Sequence, residues 1–205
     1  MFDIRLRSLK DGIFEPCCQY VPSIITPLQV TATAFVAGLL SCHFASQKHI
    51  LTSLSFWFLN RALDCLDGAV ARHRKSASDL GGFLDLLGDF IVYSLLPIAI
   101  VAGQAGESSQ WQAVAVLEAS FHLNNFVLFY IAAIAEKKAS VGGNRSKELT
   151  SLMMKPALIE GMESALFFTA MLAYPEYIQF WSCSMAALVL IGTVQRVVWV
   201  VPVLT

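Results

Sequence analysis

The chain has 205 residues, of which 56% are hydrophobic and only 14% charged, and its mean hydropathy is +0.62. That composition excludes an ordinary soluble domain of this length and indicates a polytopic membrane protein. The net charge of -1 gives no reason to expect a nucleic-acid partner, so the information lies in where the charges fall.

At the N-terminus, Phe2, Ile4, Leu6, Leu9, Ile13 and Phe14 alternate with Arg5, Arg7, Lys10 and Asp11. This pattern predicts a short amphipathic helix on the membrane surface within residues 1–22. The same stretch lacks an apolar core followed by a small-residue cleavage site, so no secretory signal is expected. Six apolar stretches follow, at 24–46, 49–70, 80–102, 110–135, 156–174 and 177–203. Each is long enough for a spanning helix of about 20 residues. The expected fold is all-α, a single integral membrane domain over residues 1–205 with six transmembrane helices.

Lys and Arg orient these spans. Arg5, Arg7 and Lys10 precede the first, Arg72, Arg74 and Lys75 follow the second, and Lys137, Lys138, Arg145, Lys147 and Lys155 fall between the fourth and fifth. The opposite loops carry only Lys48, so the positive-inside rule places both termini on the cytoplasmic side or its equivalent. The cysteines, at 17, 18, 42, 65 and 183, have no metal-site spacing and are odd in number, which argues against a disulfide framework. Packing is their simplest role; Cys17 and Cys18, beside the first span, are also candidates for acylation.

The densest chemical signal runs from Asp64 to Asp89, from the second span into the third. It reads Asp64-Cys-Leu-Asp67-Gly68-Ala-Val-Ala71-Arg72, then Gly81, Asp85 and Asp89. Asp64 and Asp67 are three apart and Asp85 and Asp89 four apart, so each pair shares one face of its helix. Four carboxylates brought together between two helices in a low-dielectric setting require cations. Oxygen-only ligands favour Mg²⁺, Mn²⁺ or Ca²⁺ over zinc. The small Gly68 and Ala71 would let a ligand approach the helix backbone, and Arg72 could pair with phosphate oxygens. Gly81 and Gly82 read equally well as turn glycines before the third span, with Asp79 as its N-cap.

The pattern Asp-x2-Asp-Gly-x2-Ala-Arg-x8-Gly-x3-Asp-x3-Asp resembles the signature of the CDP-alcohol phosphotransferases at every fixed position. Thr26-Pro27-Leu-Gln-Val-Thr31 also resembles an opening common in that family, with Leu28 where Asn is frequent. The resemblance implies transfer of a substituted phosphoryl group from a CDP-linked donor to an alcohol, with release of CMP. It implies Mg²⁺ or Mn²⁺, as a pair of ions, held by Asp64, Asp67 and Asp85, with Asp89 as the acceptor's base and as a further metal contact. Gly68, Ala71, Arg72 and Gly81 would face the substrate, and a homodimer is expected by the same resemblance. The expected donor is CDP-diacylglycerol, arriving from the bilayer, and the acceptor a small alcohol.

Three other readings stay open at this point. One is a CDP-aminoalcohol transferase with diacylglycerol as acceptor, although such proteins are usually longer. The others are a transporter, for which no inverted repeat is visible, and a silent scaffold, which predicts a degenerate signature.

Ionisable residues inside spans are further candidates. Arg61 is expected to pair with Glu118 or Glu163. Glu118 and His122, four apart, suit a hydrogen-bonded pair, and Glu160 and Glu163 sit at the start of the fifth span. Arg145, Lys155 and Arg196 are candidates for receiving a phosphate on the acceptor, alongside the topological role of the loop cations.

Overall fold

The computed structural model describes Pro16, Cys18, residues 20–139 and residues 161–204. The N-terminal amphipathic segment, Cys17, Arg145, Lys147, Lys155 and Glu160 lie outside the described residues. Six main helices follow the six apolar stretches: α1 Pro27–Ser46, α2 Ile50–His73, α3 Asp79–Gln104, α4 Ser108–Ala139, α5 Gly161–Ala173 and α6 Ile178–Leu204. Among the described residues there is no strand. Helices α1, α3, α4 and α6 are long and apolar enough to cross a membrane. Helix α2 carries Arg61, Asp64, Asp67 and Arg72 along its length, and α5 is described over 13 residues. Outward-facing Phe126, Leu166 and Val198 give an integral membrane protein the apolar exterior that lipid demands.

Local sequence sets where the helices start. Thr26 caps α1 in a reciprocal box: its hydroxyl accepts from the Gln29 amide at 3.3 Å, and Gln29 Oε1 accepts from the Thr26 amide at 2.8 Å. Pro27 fits the first helical position, where no amide hydrogen is needed. For α3 the cap is Ser78, whose hydroxyl accepts from the Gly81 amide at 3.1 Å. The sequence expectation of Asp79 is corrected by one residue: Ser78 has the extended backbone of a cap, and Asp79 is already helical beside the positive end of the helix dipole. Gly81 and Gly82 consequently lie in the first turn of α3 and not in the preceding loop.

Helix α1 packs closely against both α2 and α3, because small residues let the backbones approach. A Cβ on Gly38 would stand only 2.5 Å from Val92 Cγ2, and one on Gly103 only 2.6 Å from the Ala45 carbonyl oxygen. Buried polar groups are paired across the same contacts. Ser41 and Ser53 donate to each other's carbonyl oxygens at 2.9 and 2.8 Å, and Asn60 Nδ2 donates to the Ala34 carbonyl at 2.7 Å. Arg74, at the end of α2, donates to the carbonyls of Val21, Pro22 and Ile25, tying the approach to α1 against it. The main core is built around Trp57, Leu96, Leu117, Phe168 and Met171, all fully buried. Trp57 Nε1 reaches Thr169 on α5 at 2.9 Å. Cys18 is buried against Ala69 and Val70, in keeping with a packing role.

The close approach at Gly38 gives a direct test. Gly38→Leu should destabilise the protein by about 1–3 kcal/mol through overpacking. Adding Val92→Ala should recover part of that loss, measured as thermal unfolding in detergent; equal unfolding temperatures for both variants would contradict the contact.

Candidate functional site

The signature residues meet where α2 and α3 converge near the start of α1, and they are divided into distinct partnerships. Asp67, 6% exposed, accepts a 2.5 Å hydrogen bond from Thr31 of α1. Thr31 also donates to the Pro27 carbonyl at 3.1 Å, so it reaches the site from a capped first turn. Asp64 and Asp85 lie within hydrogen-bonding reach of each other across the α2–α3 contact. Asp89 is gripped by Arg61, with Nη2 to Oδ1 at 2.5 Å and Nη1 to Oδ2 at 3.3 Å. Arg61 Nη1 is also 3.6 Å from Asp64.

Arg61 is thus paired within the acidic cluster, and the expectation of Glu118 or Glu163 is corrected. The reason is geometric: Arg61 sits one turn before Asp64 on the face of α2 that meets α3, where Asp89 and Tyr93 present their side chains. The Glu118–His122 pair is corrected too. No hydrogen bond joins them among the described residues; Glu118 is half-buried facing Ser94, with one carboxylate oxygen lacking a partner, while His122 is exposed. Four residues advance a helix by slightly more than one turn, enough here to carry His122 off the packed face.

A cavity of about 450 Å³ opens beside the cluster. Asp67, Gly68, Ala71 and Arg72 line it from α2, Gly81, Gly82 and Asp85 from α3, and Thr26 and Thr31 from α1. A Cβ on Gly68 would stand 3.1 Å from Arg72 Nη1, so the missing side chain lets the guanidinium lie along the helix. An apolar groove of about 310 Å³ shares Leu28 and Thr31 with this cavity and runs between α1 and α3 past Phe35, Leu84 and Gly88.

Asp89 lies elsewhere. It lines a second cavity of about 360 Å³, together with Tyr93, Ser94, Asn124, Asn125 and Ser164. Arg196 approaches this cavity from α6 by donating to Asn124 Oδ1 at 3.4 Å. The structure therefore brings Gly68, Ala71, Arg72 and Gly81 together with Asp67 and Asp85, and places Asp89 and Arg196 at the other cavity.

Among the described residues no three acidic, histidine or cysteine side chains close on one point as a ready-made metal cage. The donor set nevertheless fits a hard divalent cation. Asp64 and Asp85 face each other closely enough to need a positive charge or a proton between them, and every available donor is oxygen.

The sequence pattern of the CDP-alcohol phosphatidyltransferases matches residues 19–194. The chain belongs to that family. The transferase is also 32% identical over 198 residues to the inner membrane protein YnjF of Escherichia coli (strain K12), covering 96% of this chain and 94% of that one. In fold it is similar to the crystal structure of phosphatidylinositol phosphate synthase of Mycobacterium tuberculosis with CDP-DAG bound. That likeness has a TM-score of 0.69 at 20% identity, over 92% of this chain and 94% of the other. The apo form of the same synthase gives a TM-score of 0.60 at 20% identity, over 90% and 94% of the two chains.

Residues that sequence reasoning left without a role are Thr31, Tyr93, Asn124 and Asn125. Thr31 stood in the quoted opening of the first span, but its partner Asp67 is 36 residues away, and no local spacing reveals that.

Gly82 separates the cavity from the fold. A Cβ there meets nothing within 4 Å, so Gly82→Leu should leave thermal stability unchanged or slightly higher, by up to about 1 kcal/mol of helix propensity. Its side chain enters the first cavity, so transfer activity should fall at least tenfold. Wild-type kinetics in this variant would show that the cavity is not used.

Proposed function

We propose that the transferase moves a phosphatidyl group from CDP-diacylglycerol to a small alcohol and releases CMP. The observation that carries this reading is that the first cavity and the apolar groove share the wall residues Leu28 and Thr31. A pocket bearing Arg72 and two aspartates beside an apolar groove between helices suits a donor with a charged head and fatty acyl chains. With a soluble CDP-aminoalcohol the lipid would be the acceptor, and its groove would be expected beside Asp89, whereas this groove shares its walls with the cavity that holds Arg72.

In this reading the cytidine diphosphate occupies the first cavity, close to the backbone at Gly68, Ala71 and Gly81, with Arg72 on a phosphate. Asp64, Asp67 and Asp85 would hold a pair of Mg²⁺ or Mn²⁺ ions, with Asp89 at the edge of that set. Such ions would supply neutralisation of charge on the transferred phosphoryl and on departing CMP. Asp89 accepts the proton of the acceptor hydroxyl as its oxygen forms a bond to the phosphatidyl phosphorus. The bond from that phosphorus to the CMP oxygen breaks, and the electron pair leaves with CMP. The second cavity takes the alcohol, oriented by Asn124, Asn125 and Ser164. Arg196, with Arg145 and Lys155, receives a phosphate on the acceptor.

The domain is taken to span residues 1–205, to cross the bilayer six times with the signature facing the cytoplasm or its equivalent, and to work as a homodimer.

Purified protein supplied with CDP-diacylglycerol and a panel of glycerol phosphate, inositol phosphate, inositol and serine should release CMP only with an accepted alcohol. Chelation should abolish release and Mg²⁺ or Mn²⁺ restore it, whereas activity in excess chelator would remove the metal assignment. Ala32→Trp, which fills the apolar groove, should raise the KM for the diacyl donor about tenfold while sparing a short-chain analogue. Equal effects on both donors would count against the lipid channel.

For topology, single cysteines at Glu107 and Ser76 should react with an impermeant reagent from opposite membrane faces. Labelling of both from one face would contradict six spans.

A further inference from the structure

Arg61 lies outside the signature, yet it is the most completely held side chain in the site. Nε donates to Asn60 Oδ1 at 2.8 Å, Nη1 donates to the Tyr93 hydroxyl at 2.6 Å, and both terminal nitrogens grip Asp89. Its guanidinium carbon stands 5.0 Å from the Trp57 ring centroid and 5.1 Å from that of Tyr93, within cation–π range of both. Asn60 is anchored in turn to the Ala34 carbonyl of α1. Groups from α1, α2 and α3 therefore fix the plane of one guanidinium.

That fixation exceeds what charge balance requires. A lysine ammonium would neutralise the cluster as a point charge, but only a planar fork sets both the position and the rotation of a carboxylate. The carboxylate so held is the one that lines the second cavity, whereas Asp67 and Asp85 line the first. We propose that Arg61 is a positioning residue for phosphatidyl transfer: its fork, which also lies 3.6 Å from Asp64, fixes the rotation of Asp89 so that this carboxylate faces the acceptor cavity while Asp67 and Asp85 face the other. The inference rests on the reading of Asp89 as the acceptor's base. It adds a division of labour among four aspartates that their spacing in the sequence does not contain.

The decisive comparison is between Arg61→Lys, which keeps the charge, and Arg61→Gln, which removes it, each measured in the full-length protein against wild type. With the fork lost, kcat should fall about 10²-fold in both variants, the scale expected when a reacting group is misplaced by about 1 Å. The KM for CDP-diacylglycerol should stay within about threefold of wild type. Mn²⁺ binding in the presence of CMP, followed by electron paramagnetic resonance, should weaken by no more than about threefold, because of the three proposed ligands only Asp64 lies within ion-pair distance of Arg61, at 3.6 Å. Arg61→Lys guards against a simple folding defect, since it preserves the buried charge.

Wild-type kcat in Arg61→Lys would overturn the proposal, because charge alone would then suffice. Loss of Mn²⁺ binding together with a shift in both KM values would also overturn it, marking Arg61 as general scaffolding. If wild-type protein released no CMP from CDP-diacylglycerol with any alcohol, the functional reading itself would fail and the role of Arg61 with it.

Discussion

Like charges do not gather in a place where water is scarce unless something holds them there. Two carboxylates about 4 Å apart repel by about 4 kcal/mol at the effective dielectric of a protein surface, a sizeable part of a domain's whole stability. The chain meets this by giving its acids different neighbours. Thr31 hydrogen-bonds Asp67, Arg61 takes Asp89 and lies 3.6 Å from Asp64, and Asp64 and Asp85 face each other. Each partnership crosses between helices, so each depends on how closely α1, α2 and α3 approach. Gly38 permits that approach, and the Asn60 contact on Ala34 registers it.

Much of this was legible in the sequence because it is local. Six apolar stretches became six helices, and the spacing of Asp64, Asp67, Asp85 and Asp89 placed them on two facing surfaces. Gly68, Ala71, Arg72 and Gly81 met in one cavity with two of the aspartates, as their short separations imply. What could not be read were partnerships between helices. Arg61 and Asp89 are 28 positions apart, and the intervening turn decides which faces meet. Glu118 and Glu163 were plausible partners by charge alone, but charge carries no direction. Ser78 was missed as the cap of α3 because Asp79, beside it, is an equally good capping residue by type.

The placement of the two cavities sharpens the functional reading. Both touch α3, the first through Gly81, Gly82 and Asp85 and the second through Asp89 and Tyr93. Asp85 and Asp89, one turn apart on α3, thus line different cavities, the proposed donor and acceptor sides. A displacement reaction suits such an arrangement, since the nucleophile enters at phosphorus opposite the departing group. The family's Asp-x3-Asp spacing then acquires a physical meaning: a step of about one turn keeps both carboxylates on one face of the helix while letting them line two cavities.

The second cavity, lined by amides and hydroxyls as well as by Asp89, has a cost built into it. Such a surface is as hospitable to water as to an alcohol, and water is itself a nucleophile. On the proposed reading, in which the acceptor's chamber fills separately from the donor's, the transferase stands one misaligned carboxylate away from being a hydrolase. Its fidelity is then a matter of orientation more than of affinity, since wasteful cleavage is avoided only while the correct oxygen is the one lined up with phosphorus.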